Sequence, residues 1–310
     1  VKRSSIALVV LLFCAATAAA QPSAVVKEVR AAIAANDFAR ANDTLAKFRA
    51  ANGVTPEMLE ALSWLGRGAL AAKDFARAEQ YARETYTLSV AALKSRPLDR
   101  EPRLPIALGA AIEVLAQVDA ARGARTEAVA FLRSELATYK DTSIAKRIQK
   151  NINLLSLEGQ PVPALDLATY LGPAPPAMST LKGKVVLMFF WAHWCADCKQ
   201  QAPVLATLAS KYRDRGLVIF APTQRFGYVA GGKDASAEEE MRYIDEVRRT
   251  HYPVLAGQSV PVSEANHLRF GVSTTPTLVL VDRAGIIRLY NPGKMTLEQL
   301  EPRVQQLLAQ

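Results

Sequence analysis

The sequence predicts two unlike halves: an all-α half of repeated helical hairpins over residues 21–155 and an α/β half over 164–310, a sheet covered by helices. Three observations carry this. An alanine-rich segment, Asn36-Asp37-Phe38-Ala39-Arg40-Ala41, returns 37 residues later as Lys73-Asp74-Phe75-Ala76-Arg77-Ala78, a period that suits stacked helical hairpins. Glycine and proline cluster at Gly159, Pro161 and Pro163, then at Pro173, Pro175 and Pro176, and end the helical pattern. Beyond them short apolar runs alternate with helical patterns, as in a sheet with helices on its faces. The 310-residue length suits two domains.

In chain order, residues 1–20 come first. Lys2 and Arg3 precede the apolar run Ile6 to Ala15, and small residues Ala18-Ala19-Ala20 follow, the pattern of a secretory signal peptide cut before Gln21. The run is shorter than the ~18 residues of a membrane span. Loss of that leader removes two of the 38 basic residues and lowers the net charge from +9 to +7. The basic residues of 94–103 and 140–150 alternate with apolar or acidic ones, with no stripe of basic and aromatic side chains, so nucleic-acid binding is not expected.

In the helical half, Gly123 to Ala128 forms a weaker third copy of the repeat. Leu65-Gly66 and Phe75, spaced ahead of Ala78, resemble the tetratricopeptide pattern, although Leu62 and Val90 stand where that family has an aromatic and a proline, and Pro97, Pro102 and Pro105 lie in an insertion. Small residues at this spacing serve helix packing and a partner-binding groove alike, so a peptide or protein partner for this half stays open. A linker is expected over 156–163.

The second half reads as an apolar strand Val185–Trp191, a helix after Cys195, a strand Leu217–Ala221, a helix near Glu238–Arg249, strands Thr277–Val281 and Ile286–Tyr290 around the turn Asp282-Arg283-Ala284-Gly285, and a last helix Leu297–Leu308. The chemistry sits where the first strand meets its helix, in Trp191-Ala192-His193-Trp194-Cys195-Ala196-Asp197-Cys198-Lys199. Once Cys14 leaves with the leader, Cys195 and Cys198 are the only cysteines. A bridge closing so short a loop adds little stability, so the pair points to chemistry. A sulfur at a helix start meets unsatisfied backbone N–H groups and the positive end of the dipole, which favour a thiolate. A second sulfur one turn along can release a mixed disulfide formed at the first. Tetrahedral zinc needs two further ligands, and His193, His251 and His267 show no paired spacing, so no metal is expected.

The run Trp191 to Tyr212, with Trp191, Ala192, Trp194, Cys195, Cys198, Lys199, Ala202, Pro203, Leu205, Ala209 and Tyr212 in register, resembles the active-site strand end and helix of thioredoxin. Ser273-Thr274-Thr275-Pro276-Thr277 resembles that family's cis-proline loop. Over residues 158–309 the chain is similar to the exported TlpA/ResA-like thiol–disulfide oxidoreductases, through Gly159-Gln160-Pro161, Leu181-Lys182-Gly183-Lys184, Phe190-Trp191-Ala192 and Gly271 through Val281. The resemblance implies a thioredoxin-like fold, a central mixed sheet flanked by helices. It also implies Pro276 against the cysteines, Thr275 and Trp194 at the substrate, a redox-active Cys195–Cys198 disulfide with no other cofactor, and work outside the cytoplasm. Two family features are missing: Phe189 stands where thioredoxin buries an aspartate, and Leu217–Ala221 has no counterpart of its lysine. Asp197 and His193 are the groups near enough in sequence to tune the thiols, both otherwise reading as surface residues.

The expected function is therefore an extracytoplasmic disulfide reductase: Cys195 attacks, Cys198 resolves, and an upstream thiol donor restores the pair. Two other classes are open. A peroxiredoxin-like thiol peroxidase is disfavoured because Ala192 stands where a peroxidatic cysteine has Thr or Ser three residues upstream. A helical-repeat interaction protein would use its first half to bring partners to the redox module.

Overall fold

The computed structural model describes residues 23–310; the expected leader, 1–20, lies outside the described residues. Among the described residues seven α-helices come first: α1 (Ala24–Ala34), α2 (Phe38–Asn52), α3 (Pro56–Ala71), α4 (Phe75–Ala92), α5 (Leu104–Ala121), α6 (Arg125–Tyr139) and α7 (Ala145–Ser156). The first six form three hairpins, and the sequence repeat is their turn. Asn36 and Lys73 take positive φ, 58° and 59°, and the next residue, Asp37 or Asp74, returns its N–H to the carbonyl of Ala32 or Ala69. Its side chain then caps the next helix through the N–H of Arg40 or Arg77. The third hairpin keeps the backbone and changes the residues: Gly123 supplies the positive φ, Ala124 bonds the carbonyl of Asp119, and no side chain caps α6. That is why the third copy is weak in sequence. A positive φ costs glycine little and lysine more.

Helix α5 is long and apolar enough to cross a membrane, yet it packs against α3, α4, α6 and α7 at the centre of this half. Burial among helices accounts for its composition.

The second half is built on a four-stranded sheet in the order β3 (Leu217–Phe220), β2 (Val185–Phe190), β5 (Thr277–Val281), β6 (Ile287–Pro292). Strand β2 runs parallel to β3 and antiparallel to β5, so the sheet is mixed, as expected. All six residues of β2 are buried, because both faces of the sheet are covered. Val185, Leu187 and Phe189 join the core under α8 (Ala196–Tyr212), α9 (Ala237–His251) and α11 (Leu297–Leu308). Val186, Met188 and Phe190 face Phe270, just after α10 (Glu264–Arg269), and the chain that leads out of α7. A two-stranded ribbon of β1 (Tyr170–Leu171) and β4 (Val260–Pro261) is bridged to the chain leaving β3, where the Thr223 N–H reaches the carbonyl of Pro261 and the Ser263 N–H that of Thr223, both at 2.9 Å.

The segment expected as a linker is a sheet edge. The Gly159 N–H reaches the carbonyl of Ile287 at 2.8 Å, the Ile287 N–H the carbonyl of Gln160 at 2.9 Å, and the Val162 N–H the carbonyl of Gly285 at 2.9 Å. Prolines at 161 and 163 suit this place, since an edge strand leaves alternate N–H groups unpaired. Helix α7 also meets the second half directly. A Cβ on Gly271 would stand 2.3 Å from the Lys150 backbone nitrogen, the Asn153 side chain donates to the carbonyl of Arg269, and Lys146 pairs with Glu264 at 2.9 Å.

Candidate active site

The apolar strand β2 delivers Trp191 and Ala192, both fully buried, to its carboxyl end. The Trp191 indole N–H donates to the carbonyl of Ala221 and the Thr223 hydroxyl to that of Trp191, pinning the strand end to the chain leaving β3. Cys195 then takes an extended conformation as the N-cap of α8, and its Sγ accepts the N–H of Cys198 at 3.0 Å. A sulfur in that position sits on one of the orphan donors of the first turn, at the positive end of the helix. Cys195 and Cys198 are joined by a disulfide.

Across from them, Thr275-Pro276 is a cis peptide, and the Thr275 carbonyl oxygen lies 3.4 Å from the Cys195 Sγ. The Thr277 hydroxyl holds this loop by donating to the carbonyl of Thr274, and the Pro276 carbonyl accepts from Gly293. Both sulfurs are nearly covered: Cys195 is 3% exposed and Cys198 0%. Trp194, 50% exposed, is the large apolar surface beside them. The loop carbonyl thus lies against the disulfide, and the exposed indole is carried by the residue just before Cys195.

His193 is not a surface residue. It is 1% exposed, ringed edge-on by Phe226, Tyr228 and Tyr243, and its Nε2 lies 3.2 Å from Oε1 of the equally buried Glu240. The same carboxylate accepts the N–H of Phe226 through Oε1 and of Gly227 through Oε2, at 2.5 and 2.9 Å. Burial lowers the His193 pKa and Glu240 draws it back only in part, so the ring is neutral at pH 7 and donates to Glu240. Its other nitrogen, Nδ1, is buried without a partner. Glu240 thereby joins α9, the loop at 226–227 and the residue two before Cys195, and Phe226 in turn meets Trp194 edge-on at 5.6 Å.

Asp197 lies on the surface as expected, but it is paired with Lys294 at 2.8 Å, so its charge reaches the sulfurs largely offset. Phe189 fills the place of the absent aspartate with its ring 5.8 Å from that of Tyr252, and the Tyr252 hydroxyl is buried without a partner. Glu240, Lys294 and Gln201 were not singled out by sequence. Gln201, 1% exposed, exchanges two hydrogen bonds with the Met295 backbone and so ties α8 to the turn carrying Lys294. Glu240 ends the acidic run Glu238-Glu239-Glu240, which resembles any solvated helix start. Its signal is positional: with α9 beginning at Ala237, Glu240 falls on the helix face of Ile244 and Val247, which is buried.

Residues 183–287 match the thioredoxin-like family model. The chain is 26% identical over 147 residues to the thioredoxin-like protein YneN of Bacillus subtilis, covering 47% of this chain and 78% of that protein. It is 34% identical over 161 residues to the thiol:disulfide interchange protein DsbE of Pseudomonas aeruginosa, covering 49% of this chain and 78% of that protein. To the thiol-disulfide oxidoreductase ResA of Oceanobacillus iheyensis it is 29% identical over 124 residues, 40% of this chain and 57% of that one. Among solved structures, a thiol-disulfide isomerase from Corynebacterium glutamicum aligns with a TM-score of 0.40 at 19% identity, over 49% of this chain and 97% of that one. With adjacent cysteines at a helix start beside a cis-proline loop and this likeness to DsbE and ResA, the chain belongs to the thioredoxin-fold thiol–disulfide oxidoreductases.

Proposed function

We propose that the protein reduces disulfides of other proteins outside the cytoplasm, with Cys195 as nucleophile and Cys198 as resolving thiol. The observation that carries this reading is the Cys195 Sγ on the first turn of α8, accepting the Cys198 N–H 3.0 Å away. There the reduced Cys195 is stabilised as a thiolate. The thiolate attacks one sulfur of a substrate disulfide, whose S–S bond breaks as a Cys195–substrate disulfide forms. Cys198, deprotonated, then attacks the Cys195 sulfur. The substrate leaves with two electrons and, after protonation, two thiols, and Cys195–Cys198 is left oxidised. An upstream dithiol must return the two electrons by the same exchange in reverse.

An extended substrate segment would pair with the Thr275 backbone beside Pro276 and rest on Trp194. No cofactor beyond the cysteine pair enters this cycle. The leader-like sequence of residues 1–20 supports the export in this reading, and an oxidising compartment would make the donor necessary. The test is a Cys198→Ser variant, which forms the mixed disulfide and cannot resolve it. Disulfide-bearing extracytoplasmic proteins should accumulate on Cys195, and alkylation of the reduced chain below pH 7.5 should label Cys195 before Cys198. Labelling in the reverse order would exchange the two roles.

A further inference from the structure

Between the two halves lies a cavity of about 330 Å³ lined by Arg67, Glu113, Arg147, Lys150, Ser273 and Thr274. Its floor is the loop that runs into Thr275 and Pro276; its wall belongs to α3, α5 and α7. The wall packs directly on the segment leading into the loop: the α7 backbone at Lys150 fills the space where a Cβ of Gly271 would stand.

The charges in this cavity do not balance. Glu113 accepts from Arg147 at 2.8 Å and from Lys150 at 3.1 Å, and one carboxylate is thereby shared by two cations. Their charges hold its pKa down, to about 2, against the burial that would raise it. Among the described residues Arg67 pairs with no carboxylate. It stacks on Trp64, 4.4 Å from the ring centroid, its Nε is buried without a hydrogen-bond partner, and Glu60, the other acid whose charge it feels, is taken by Arg103 at 2.7 Å. Burial and Arg147 together bring the Arg67 pKa down to about 10. A half-buried guanidinium with no carboxylate on it and its Nε buried without a partner gains from an anion in the cavity.

We propose that this cavity receives a carboxylate side chain of the substrate polypeptide, so that the helical half selects acidic sequence beside the disulfide to be reduced. The inference rests on the proposed reductase reading. The geometry sets the spacing. The Thr275 carbonyl is 3.4 Å from the Cys195 Sγ, Thr274 and Ser273 come next, and an extended strand advances about 3.3 Å per residue. An Asp or Glu two or three residues from the attacked cysteine therefore reaches Arg67, which can grip it through two N–H groups at once.

The test uses the full reduced chain and three short peptides, each with one cysteine capped as a mixed disulfide with uncharged 2-mercaptoethanol and flanked two residues away by Glu, Gln or Lys. Stopped-flow rates should fall in the order Glu, Gln, Lys, with at least a tenfold span between the first and last at low salt. Arg67→Gln should cut the span below threefold. Ser273→Glu, at an exposed position, puts a carboxylate of the chain's own into the cavity and should do the same. Arg303→Gln, exposed on α11, removes one charge elsewhere and should leave the span intact. Equal rates for the three peptides would overturn the cavity's role, and a span retained in both Arg67→Gln and Ser273→Glu would overturn it too and assign the preference to the chain's overall positive charge. If no peptide reacts, the reductase reading itself fails.

Discussion

Replacing Glu240 tests whether one buried carboxylate holds the active-site rim together. In Glu240→Gln the shape is kept, but only one oxygen remains to meet three donors: the N–H groups of Phe226 and Gly227 and the Nε2 of His193. The new amide NH2 faces at least one of those donors, leaving it unsatisfied at about 1–3 kcal/mol, and the surviving bonds lose their charge assistance at about 1 kcal/mol more. The expected loss is about 2–4 kcal/mol for Glu240→Gln and more for Glu240→Leu, where all three donors are stranded. Urea unfolding of the oxidised chain at pH 7 measures it, and amide hydrogen exchange at Phe226 and Gly227 localises it. Because Phe226 meets Trp194 edge-on, the loosened loop should also free the indole, visible in Trp194 fluorescence against a Trp194→Phe control. A loss below about 1 kcal/mol in Glu240→Gln, or full protection of both amides in Glu240→Leu, would refute the reasoning.

Three further outcomes are expected. Lys294→Met leaves the Asp197 anion unopposed near the nascent Cys195 thiolate, disfavours the dithiol and should lower the reduction potential by about 10–20 mV, with Asp197→Asn moving it the other way; tenfold in the exchange constant is about 30 mV. Redox titration decides the sign. Burial holds His267 neutral, its pKa lowered from 6.5 to about 3. Below pH 6.5 the unfolded chain takes up a proton that the folded one refuses, so this contribution is whole above pH 6.5 and is lost as pH falls toward 3. Between pH 6.5 and 4.5 the loss is about 2–3 kcal/mol, and His267→Phe, which keeps a ring against Phe190, should flatten urea midpoints over that range. Gly271→Ala drives a Cβ into the backbone of Lys150 at a φ of +58°; a thermal melt should show a loss of at least about 2 kcal/mol.

Which parts of this were legible in the sequence follows from the range of the interactions. The ends of α11 and β5 and the cysteine pair at the start of α8 were read off locally, because periodicity, turn residues and a motif fix them. The repeat at 36–41 and 73–78 was legible for the same reason, since it encodes a turn that each hairpin closes for itself. His193 reads as a surface residue because nothing near it in sequence announces Phe226, Tyr228, Tyr243 and Glu240, which converge on it from a loop and a later helix. Asp197 reads as a surface residue and is one, but its partner Lys294 arrives from almost a hundred residues away. Gly159 to Pro163 have linker composition and yet form an edge, a role that only the distant Gly285–Ile287 segment creates.

That edge also sets an order of assembly. The hairpin of β5 and β6 closes on itself, whereas β2 finds its antiparallel partner about ninety residues on, and the edge at 159–162 waits for Ile286 and Ile287, later still. Loop closure across such separations is slow compared with helical hairpins. A chain emerging amino end first has α1–α7 formed while β2, and the two cysteines just past its end, still lack half their sheet. During that interval the thiols lie open to any oxidant or mixed disulfide they meet. Arrival of the last strand pair closes the sheet and the window together.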